Sequence, residues 1–249
     1  MSSPASVASL AMYPFAALRE ATDQLWEAVR RHLGWGPAAL EWDILTPDVW
    51  FHPELLLAQT CGWPLVTQFA DSMGVVGAFD HDVPDAHDGT YRSALVSSID
   101  ATLDDLRDRP GVVAAVNGRD SLSGWVSLVY AWGGVPTDVI ETGAHVESVR
   151  AVADRRAHVA SIDAVSWALL GDLEPALVEG LHLVGAGPRV PCLPVVVPAA
   201  RVGHVDALRA AFTAAVAEPD LAGSLAVLRI RGFVPLDLAD YLPLRALLS

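Results

Sequence analysis

The chain has 249 residues, of which 52% are hydrophobic, and it carries 30 acidic residues against 16 basic ones, for a formal net charge of −14. The hydrophobic share indicates a folded protein with a large core and excludes a disordered chain. The acidic balance argues against nucleic acid or an anionic membrane surface as a partner, and because every basic residue is Arg, lysine chemistry is excluded.

Strand-like and helix-like segments alternate along the chain, which predicts an α/β protein with mostly parallel sheets and helices on both faces. Apolar runs are followed by a turn residue and then by apolar residues at helical spacing. The predicted strands are 6–12, 54–62, 74–80, 91–99, 112–116, 138–141, 158–162 and 192–198. The predicted helices are 15–34, a helix opened by Pro64, 102–108, 123–134, 145–156, 163–171 and 205–216.

A polar segment, "HDVPDAHDGT" at 81–90, separates the third and fourth predicted strands and has the composition of a loop. Together with Asp80 it holds enough Asp and His side chains to bind a divalent metal. No established spacing of metal ligands is matched, so a solvated acidic loop is the favoured interpretation. We therefore expect no metal and no cofactor.

Polar residues follow several predicted strands at the point where a helix begins. Loops that leave the carboxyl ends of parallel strands meet at one edge of the sheet, where ligands bind in α/β folds. In "NGRDSLSGW" at 117–125, serine hydroxyls and the N–H groups of a helix start would suit an anion, although a simple helix cap explains each residue alone. The candidates from this reasoning are Tyr13, Thr60, Cys61, Gly62, Ser121, Ser123, Gly124, His145 and Asp163.

Two stretches, "AAVNGRDSLSGW" and "ETGAHVESVRAVADRRAHVASIDAVSWALL", combine an Asn-x-x-x-Ser-x-Ser-Gly turn, a Thr-Gly-x-His loop and a strand that ends in Asp. They resemble the phosphate, phosphite and phosphonate substrate-binding proteins of bacterial ABC transporters. "YRSALVSS" is similar to the hinge strand of that family, and "LLLAQTCGWPLV" is similar to a ligand loop of its first lobe. The resemblance runs from about residue 6 to 216 and is strongest over 112–170.

The resemblance implies a two-lobed type 2 periplasmic-binding-protein fold, in which each lobe is a mostly parallel sheet flanked by helices and the ligand lies in a cleft between the lobes. Residues 1–92 and 195–249 would form the first lobe, and residues 93–194 the second. It also implies a binding protein that closes over a small anionic ligand, a phosphonate or a phosphate-type oxyanion, for an ABC transporter permease.

The resemblance adds Trp63, Tyr91 and Trp125 to the candidate ligand-binding set, and Trp167 stands beside another loop of the expected cleft without being included. Trp125 stands where the family usually has Tyr, and Trp63 and Trp167 follow other strands, so a larger or cationic ligand group is one interpretation and simple packing under a helix is the other. With no Lys, and Arg92 as the basic side chain expected nearby, neutral dipoles would hold the oxyanion. The predicted ligand-binding set is Tyr13, Thr60, Cys61, Gly62, Trp63, Tyr91, Ser121, Ser123, Gly124, Trp125, His145 and Asp163.

The sequence and the resemblance point to different cellular locations for the protein. The family works outside the cytoplasm, but "MSSPASVASLAMYPF" lacks the basic and apolar regions of a signal peptide, and no apolar run is long enough to span a bilayer. As written, the sequence predicts a cytoplasmic protein, unless a leader has been removed. The alternative function is therefore a cytoplasmic enzyme on the same fold, similar to chorismate dehydratase or to pyrimidine-precursor synthases.

In that alternative, Cys61, His145 and Asp163 would be acid–base or nucleophilic groups. No catalytic signature of either enzyme is recognisable in the chain. Cys61 and Cys192 are its only cysteines, so a single disulfide is open but a disulfide framework is excluded.

Overall fold

The computed structural model of the chain describes residues 6–248. They form two compact units. The first contains the described residues up to Asp82 together with Ala86–Thr90 and Pro191–Pro243, and the second contains Val83–Asp85, Tyr91–Val190 and the described residues from Leu244 onward. The lobe limits expected from the sequence stay a prediction.

Ten strands and ten α-helices are present in the part of the chain that the structure describes. The strands are β1 (Val7–Ser9), β2 (Leu55–Gln59), β3 (Met73–His81), β4 (Thr90–Ser97), β5 (Val113–Val116), β6 (Asp138–Glu141), β7 (Val159–Ile162), β8 (His182–Pro191), β9 (Pro194–Pro198) and β10 (Ile230–Val234). The helices are α1 (Arg19–Leu33), α2 (Gly62–Thr67), α3 (Leu103–Asp108), α4 (Ser127–Trp132), α5 (His145–Ala153), α6 (Ala164–Leu173), α7 (Pro175–Val178), α8 (Val205–Val216), α9 (Ala222–Val227) and α10 (Leu238–Tyr241).

The sheet of the first unit has the strand order β1-β2-β9-β3-β10. β1 and β2 are parallel, whereas β9 lies antiparallel between β2 and β3, and β10 is antiparallel to β3. The pairing in this sheet therefore differs from the mostly parallel arrangement expected, because β9 and β10 come from late in the chain and pair with early strands that run the other way. β1, β2 and β3 still share one direction, so their carboxyl ends meet at one edge.

The sheet of the second unit has the order β6-β5-β7-β4-β8. β5 is parallel to both β6 and β7, and β4 is antiparallel to β7, with Ala94 opposite Ile162. The carboxyl ends of β5, β6 and β7 consequently lie at one edge, together with the amino end of β4. This is the edge that the sequence pattern predicts for a ligand site.

Aromatic packing holds the core of the first unit. The rings of Phe212 on α8 and Phe233 on β10 are stacked with centroids 4.8 Å apart, and Phe79 on β3 meets both of them edge-on at 5.7 and 5.4 Å. Edge-on and offset contacts are the favoured geometries for aromatic rings. All three side chains are buried, so this cluster joins the helix layer to the sheet.

The acidic residues near 80–88 are engaged by arginines. Asp80 accepts two hydrogen bonds from Arg231, and the shorter one joins its Oδ2 to Arg231 Nε at 2.8 Å. Asp85 forms ion pairs with Arg92 and Arg189 at 3.1 and 2.8 Å.

Within residues 6–248, no group of three His, Cys, Asp or Glu side chains is placed to hold a metal ion. Cys61 and Cys192 are both thiols.

Across the same residues, no helix has both the length and the apolar character needed to cross a membrane.

The structure contains two strands that the sequence analysis did not predict, β8 and β10. The run "HLVGAGPRVP" of β8 contains glycines and prolines, which weaken the strand pattern, although both residues occur on edge strands and β8 lies at the edge of its sheet.

Gly77 in β3 leaves no room for a side chain. A Cβ added there would lie 2.4 Å from the carbonyl oxygen of Val234 and 2.7 Å from the ring of Phe233, both on β10. We therefore expect Gly77→Ala to lower the free energy of unfolding by about 1–3 kcal/mol, because β10 must move away from β3. Chemical denaturation measures this change.

Gly223→Ala in α9 is the control, since no atom lies within 4 Å of a Cβ added at that position. It should leave stability unchanged or raise it by up to about 1 kcal/mol. Equal stability of the Gly77→Ala variant and the parent chain would contradict the contact between β3 and β10.

Candidate functional site

Seven of the predicted site residues lie at the carboxyl edge of the sheet in the second unit. They stand in the connections that follow β5, β6 and β7, or at the amino end of β4. Hydrogen bonds join several of them, so the structure brings the set together as the sequence pattern predicts. They are Tyr91, Ser121, Ser123, Gly124, Trp125, His145 and Asp163.

The turn after β5 is a π-helical turn over Leu122–Val126, with Ser121 as its N-cap. The hydroxyl of Ser121 accepts from the N–H of Gly124 at 3.0 Å, and its carbonyl accepts from the N–H groups of Trp125 and Val126 at 3.1 Å each. A Cβ added at Gly124 would lie 1.9 Å from Asn117 Oδ1, so only glycine fits there. Wide turns of this kind are frequent at functional sites.

Ser123 and His145 form the central polar contact of the site. Ser123 Oγ and His145 Nε2 are 2.8 Å apart. Burial lowers the pKa of His145 below its ordinary value of 6.5, and the charge of Asp163 opposes this shift in part. The imidazole is therefore neutral at pH 7, with one ring nitrogen as a donor and the other as an acceptor.

The start of α5, which His145 opens, has no side-chain cap. Ala144 stands at the N-cap position and forms no capping hydrogen bond through its side chain. The first N–H groups of a helix lack partners within the helix, and they carry the positive end of its dipole. This helix start is therefore suited to an anion.

Asp163 is the N-cap of α6 and is 2% exposed. Its Oδ1 accepts from the N–H groups of Val165 and Ser166 at 2.9 Å each, and its Oδ2 accepts from the hydroxyl of Tyr91 at 2.6 Å. A buried carboxylate needs such partners to remain charged. In contrast to α5, α6 is thus capped by the protein itself.

The face of Trp125 is covered by a cation of the protein. Arg119 Cζ lies 4.4 Å from the centroid of the Trp125 ring, and Arg119 Nε donates to Glu141 Oε1 at 2.8 Å. The guanidinium of Arg119 therefore already occupies the position on Trp125 that a cationic ligand group would take. Arg92, the basic residue expected nearby, instead donates to the carbonyl of Gly187 at 3.0 Å and pairs with Asp85.

The other five predicted residues lie in the first unit. Tyr13 follows β1, and Thr60, Cys61, Gly62 and Trp63 follow β2, so both groups stand on the carboxyl side of the parallel strands β1 and β2. The ring of Tyr13 meets that of His81, the last residue of β3, edge-on at 5.8 Å. Thr60 is fully buried, and its hydroxyl has no hydrogen-bond partner within the described chain.

The sequence analysis did not select Asn117, Arg119 or Ser161, which also lie near this edge of the second unit. Asn117 Oδ1 is buried without a hydrogen-bond partner in residues 6–248, as is Nδ1 of the predicted residue His145, and Ser161 Oγ donates to the carbonyl of Ser123 at 2.6 Å. Asn117 is the first residue of the turn motif, so the sequence did contain a signal for it. Ser161 contacts a residue 38 positions away, and the position of Arg119 over Trp125 depends on side-chain geometry, so no local pattern points to either.

Residues 58–241 match the family described as ABC transporter, phosphonate, periplasmic substrate-binding protein. This match covers well over half of the chain. The chain belongs to this phosphonate substrate-binding family. The resemblance found in the sequence is therefore confirmed, and none of the comparisons supports the enzyme alternative. No curated protein matches the chain in sequence.

Solved structures of low sequence identity share the fold. A binding protein component of an ABC phosphonate transporter from Pseudomonas aeruginosa is 17% identical, with a TM-score of 0.76 over 98% of this chain and 84% of that chain. PhnD1 from Prochlorococcus marinus, in complex with methylphosphonate, is 13% identical, with a TM-score of 0.73 over 98% and 96% of the two chains. XAC2383 from Xanthomonas citri, bound to ATP, is 14% identical, with a TM-score of 0.66 over 98% and 94%.

At these identities the likeness shows the fold alone. It confirms the expected α/β class and the fold of the periplasmic binding proteins.

The lowered pKa of His145 predicts a pH-dependent contribution to stability. The unfolded chain binds a proton at this ring near pH 6.5, whereas the folded chain binds it at a lower pH. The contribution of His145 is therefore complete above about pH 6.5 and is lost as the pH falls through the folded pKa. We expect NMR titration of the ring to give a midpoint below 6.5.

His145→Gln should reduce the loss of unfolding free energy between pH 7.5 and pH 5. Ser97→Ala, which removes a buried hydroxyl of the same unit but no titratable group, is the control and should leave that loss unchanged. A midpoint for His145 at or above the ordinary value would contradict the burial of a neutral ring.

Proposed function

We propose that the chain is a substrate-binding protein that holds a small phosphorus oxyanion, a phosphonate or a phosphate-type anion, and delivers it to an ABC transporter permease. The observation that carries this proposal is the hydroxyl of Ser123, set 2.8 Å from His145 Nε2 and beside the uncapped start of α5. Membership of the phosphonate family supports the same ligand class.

Neutral dipoles supply the recognition in this proposal. In the tautomer of His145 that carries its proton on Nε2, which the proposal assigns, Nε2–H donates to Ser123 Oγ and the proton of the Ser123 hydroxyl is left for an oxygen of the ligand. The first N–H groups of α5 donate to the same anion and add the positive end of a nine-residue helix. This arrangement suits a chain without lysine.

Asp163 sets the protonation state of the ligand. Its carboxylate already accepts three hydrogen bonds, from Val165, Ser166 and Tyr91, and one acceptor direction remains. A fully ionised oxyanion would be repelled there, whereas a P–OH group would donate to the carboxylate. The proposed ligand is therefore bound as a monoanion that retains one proton.

The residues at the edge of the first sheet, Tyr13 and 60–63, remain part of the proposed ligand-binding set. The buried hydroxyl of Thr60 supports their inclusion, because a buried hydroxyl without a partner is destabilising unless a ligand satisfies it. The family is periplasmic, and we propose that this chain likewise works outside the cytoplasm and alters no bond of its ligand.

Isothermal titration calorimetry with phosphate, phosphite, methylphosphonate and 2-aminoethylphosphonate tests the ligand class. We expect at least one of them to bind, and we expect Ser123→Ala to weaken that binding about tenfold or more, because a hydrogen bond to a charged group contributes about 1.5–3 kcal/mol. Ser224→Ala in the first unit, whose hydroxyl bonds Gln24, is the control and should bind as the parent chain does. If no phosphorus oxyanion binds, or if Ser123→Ala binds normally, the proposal fails.

If the protein alters no bond of its ligand, the ligand should be released unchanged. We expect the ³¹P NMR spectrum of the bound compound, after prolonged incubation and release by unfolding of the protein, to be that of the starting compound. A new phosphorus resonance that disappears in His145→Gln would support the enzyme alternative instead. A denatured sample of the same protein is the control for slow spontaneous hydrolysis.

A further inference from the structure

Ser161 connects the middle of β7 to the turn that carries Ser123. Its side chain is fully buried, and its hydroxyl donates to the carbonyl oxygen of Ser123 at 2.6 Å. Ser161 precedes Asp163 by two residues, but it lies within the strand and not in the connection that follows it. The contact therefore reaches from the core of the sheet to the backbone of the residue with the proposed ligand hydroxyl.

The π-helical turn makes this contact important. Its backbone bonds include one from Val126 N–H to the Ser121 carbonyl, five residues apart, so the turn is wider than an α-helix and departs from the regular ladder of hydrogen bonds. A buried backbone carbonyl needs a hydrogen-bond donor, from the backbone, a side chain or water. For the Ser123 carbonyl, the Ser161 hydroxyl is such a donor.

Other contacts hold the two ends of the turn. The hydroxyl of Ser121 caps its start, and at the first residue of α4 the hydroxyl of Ser127 accepts from that of Ser93 at 3.1 Å. Neither contact involves Ser123 itself. The bond from Ser161 thus acts directly on the residue whose hydroxyl lies 2.8 Å from His145 Nε2.

Hydrogen bonds weaken steeply with distance and angle. If the backbone of Ser123 rotates or the turn tightens toward an α-helix, its hydroxyl moves away from His145 and from the start of α5. The Ser123 carbonyl and hydroxyl belong to one residue, so fixing the peptide plane also restricts the directions open to the side chain.

We propose that Ser161 is a positioning residue for ligand binding, which holds the π-helical turn so that the Ser123 hydroxyl stays beside His145 and the start of α5. Ser161 itself contacts no ligand. This inference rests on the proposed function, because the hydroxyl that it positions is the one assigned to the oxyanion.

The test compares Ser161→Ala with Ser97→Ala. Ser97 is a matched control, since it is also fully buried in the second unit, and its hydroxyl also donates to a backbone carbonyl, that of His158, at 2.6 Å. It pairs with Val159 at the opposite end of β7 from the candidate site. Ser161→Ala removes the bond to the Ser123 carbonyl, and Ser97→Ala removes two bonds, because the Ser97 hydroxyl also accepts from the N–H of Ile99 at 3.0 Å. Both variants should therefore lower the melting temperature.

Calorimetry with methylphosphonate and with phosphate should separate the two variants. We expect Ser161→Ala to weaken binding tenfold or more and Ser97→Ala to change it less than threefold. If Ser161→Ala does not fold, Ser161→Cys replaces it in the comparison, because the thiol fills the site of the hydroxyl but is a weaker donor.

A second readout needs no ligand. We expect the NMR titration midpoint of His145 to move toward its ordinary value in Ser161→Ala, because the loosened turn admits water to the ring, and to stay in place in Ser97→Ala. Normal binding with an unchanged midpoint in Ser161→Ala overturns the proposal, as does an equal loss of affinity in both variants.

The two readouts also separate this inference from the proposed function. If the parent chain binds no phosphorus oxyanion but the midpoint of His145 responds to Ser161→Ala, the proposed ligand is wrong and the positioning of Ser123 stands. If the parent chain binds no phosphorus oxyanion and the midpoint of His145 is also unchanged in Ser161→Ala, both proposals fail. If the parent chain binds one and neither readout responds to Ser161→Ala, only this inference fails.

Discussion

Buried polar groups at the carboxyl ends of β5, β6 and β7 must find partners, and this requirement shapes the second unit. Each helix start or turn leaves N–H groups that the element itself cannot satisfy. After β5 the hydroxyl of Ser121 meets this need, and after β7 the carboxylate of Asp163 does so. After β6 the chain offers only Ala144, so α5 alone of these three elements lacks a side-chain cap.

An acidic protein that binds an anion needs short-range attraction. The net charge of −14 creates an unfavourable field at a distance, but charges farther away than about 8 Å are largely screened at physiological ionic strength. Hydroxyl and N–H dipoles act within hydrogen-bond range and are not weakened by that screening. Arg119 contributes less than its charge implies, because Glu141 neutralises it where it covers Trp125.

The sequence predicts the second unit well because local pattern and local chemistry agree there. The strands near 113–116, 138–141 and 159–162 and the polar residues after them lie where the alternation of strands and helices places them. The direction of β9 between β2 and β3 could not be predicted in this way, since pairing between strands more than a hundred residues apart leaves no local signal. The bond from Ser161 to the Ser123 carbonyl is hidden for a similar reason, because it joins residues 38 positions apart. The π-helical turn and the contact of Arg119 with Trp125 are local, but they depend on backbone and side-chain geometry that the pattern of residue types does not specify.

Ala144 shows a compromise between folding and recognition. A Ser, Thr or Asp at this N-cap position would satisfy the first turn of α5 and would stabilise the folded chain by roughly 1 kcal/mol. The same side chain would occupy the N–H groups that the proposed anion needs. With Ala144 the protein forgoes that stabilising interaction, and under the proposed function the bound anion would take the place of the cap. A sequence optimised for thermal stability alone would close this position and with it the site.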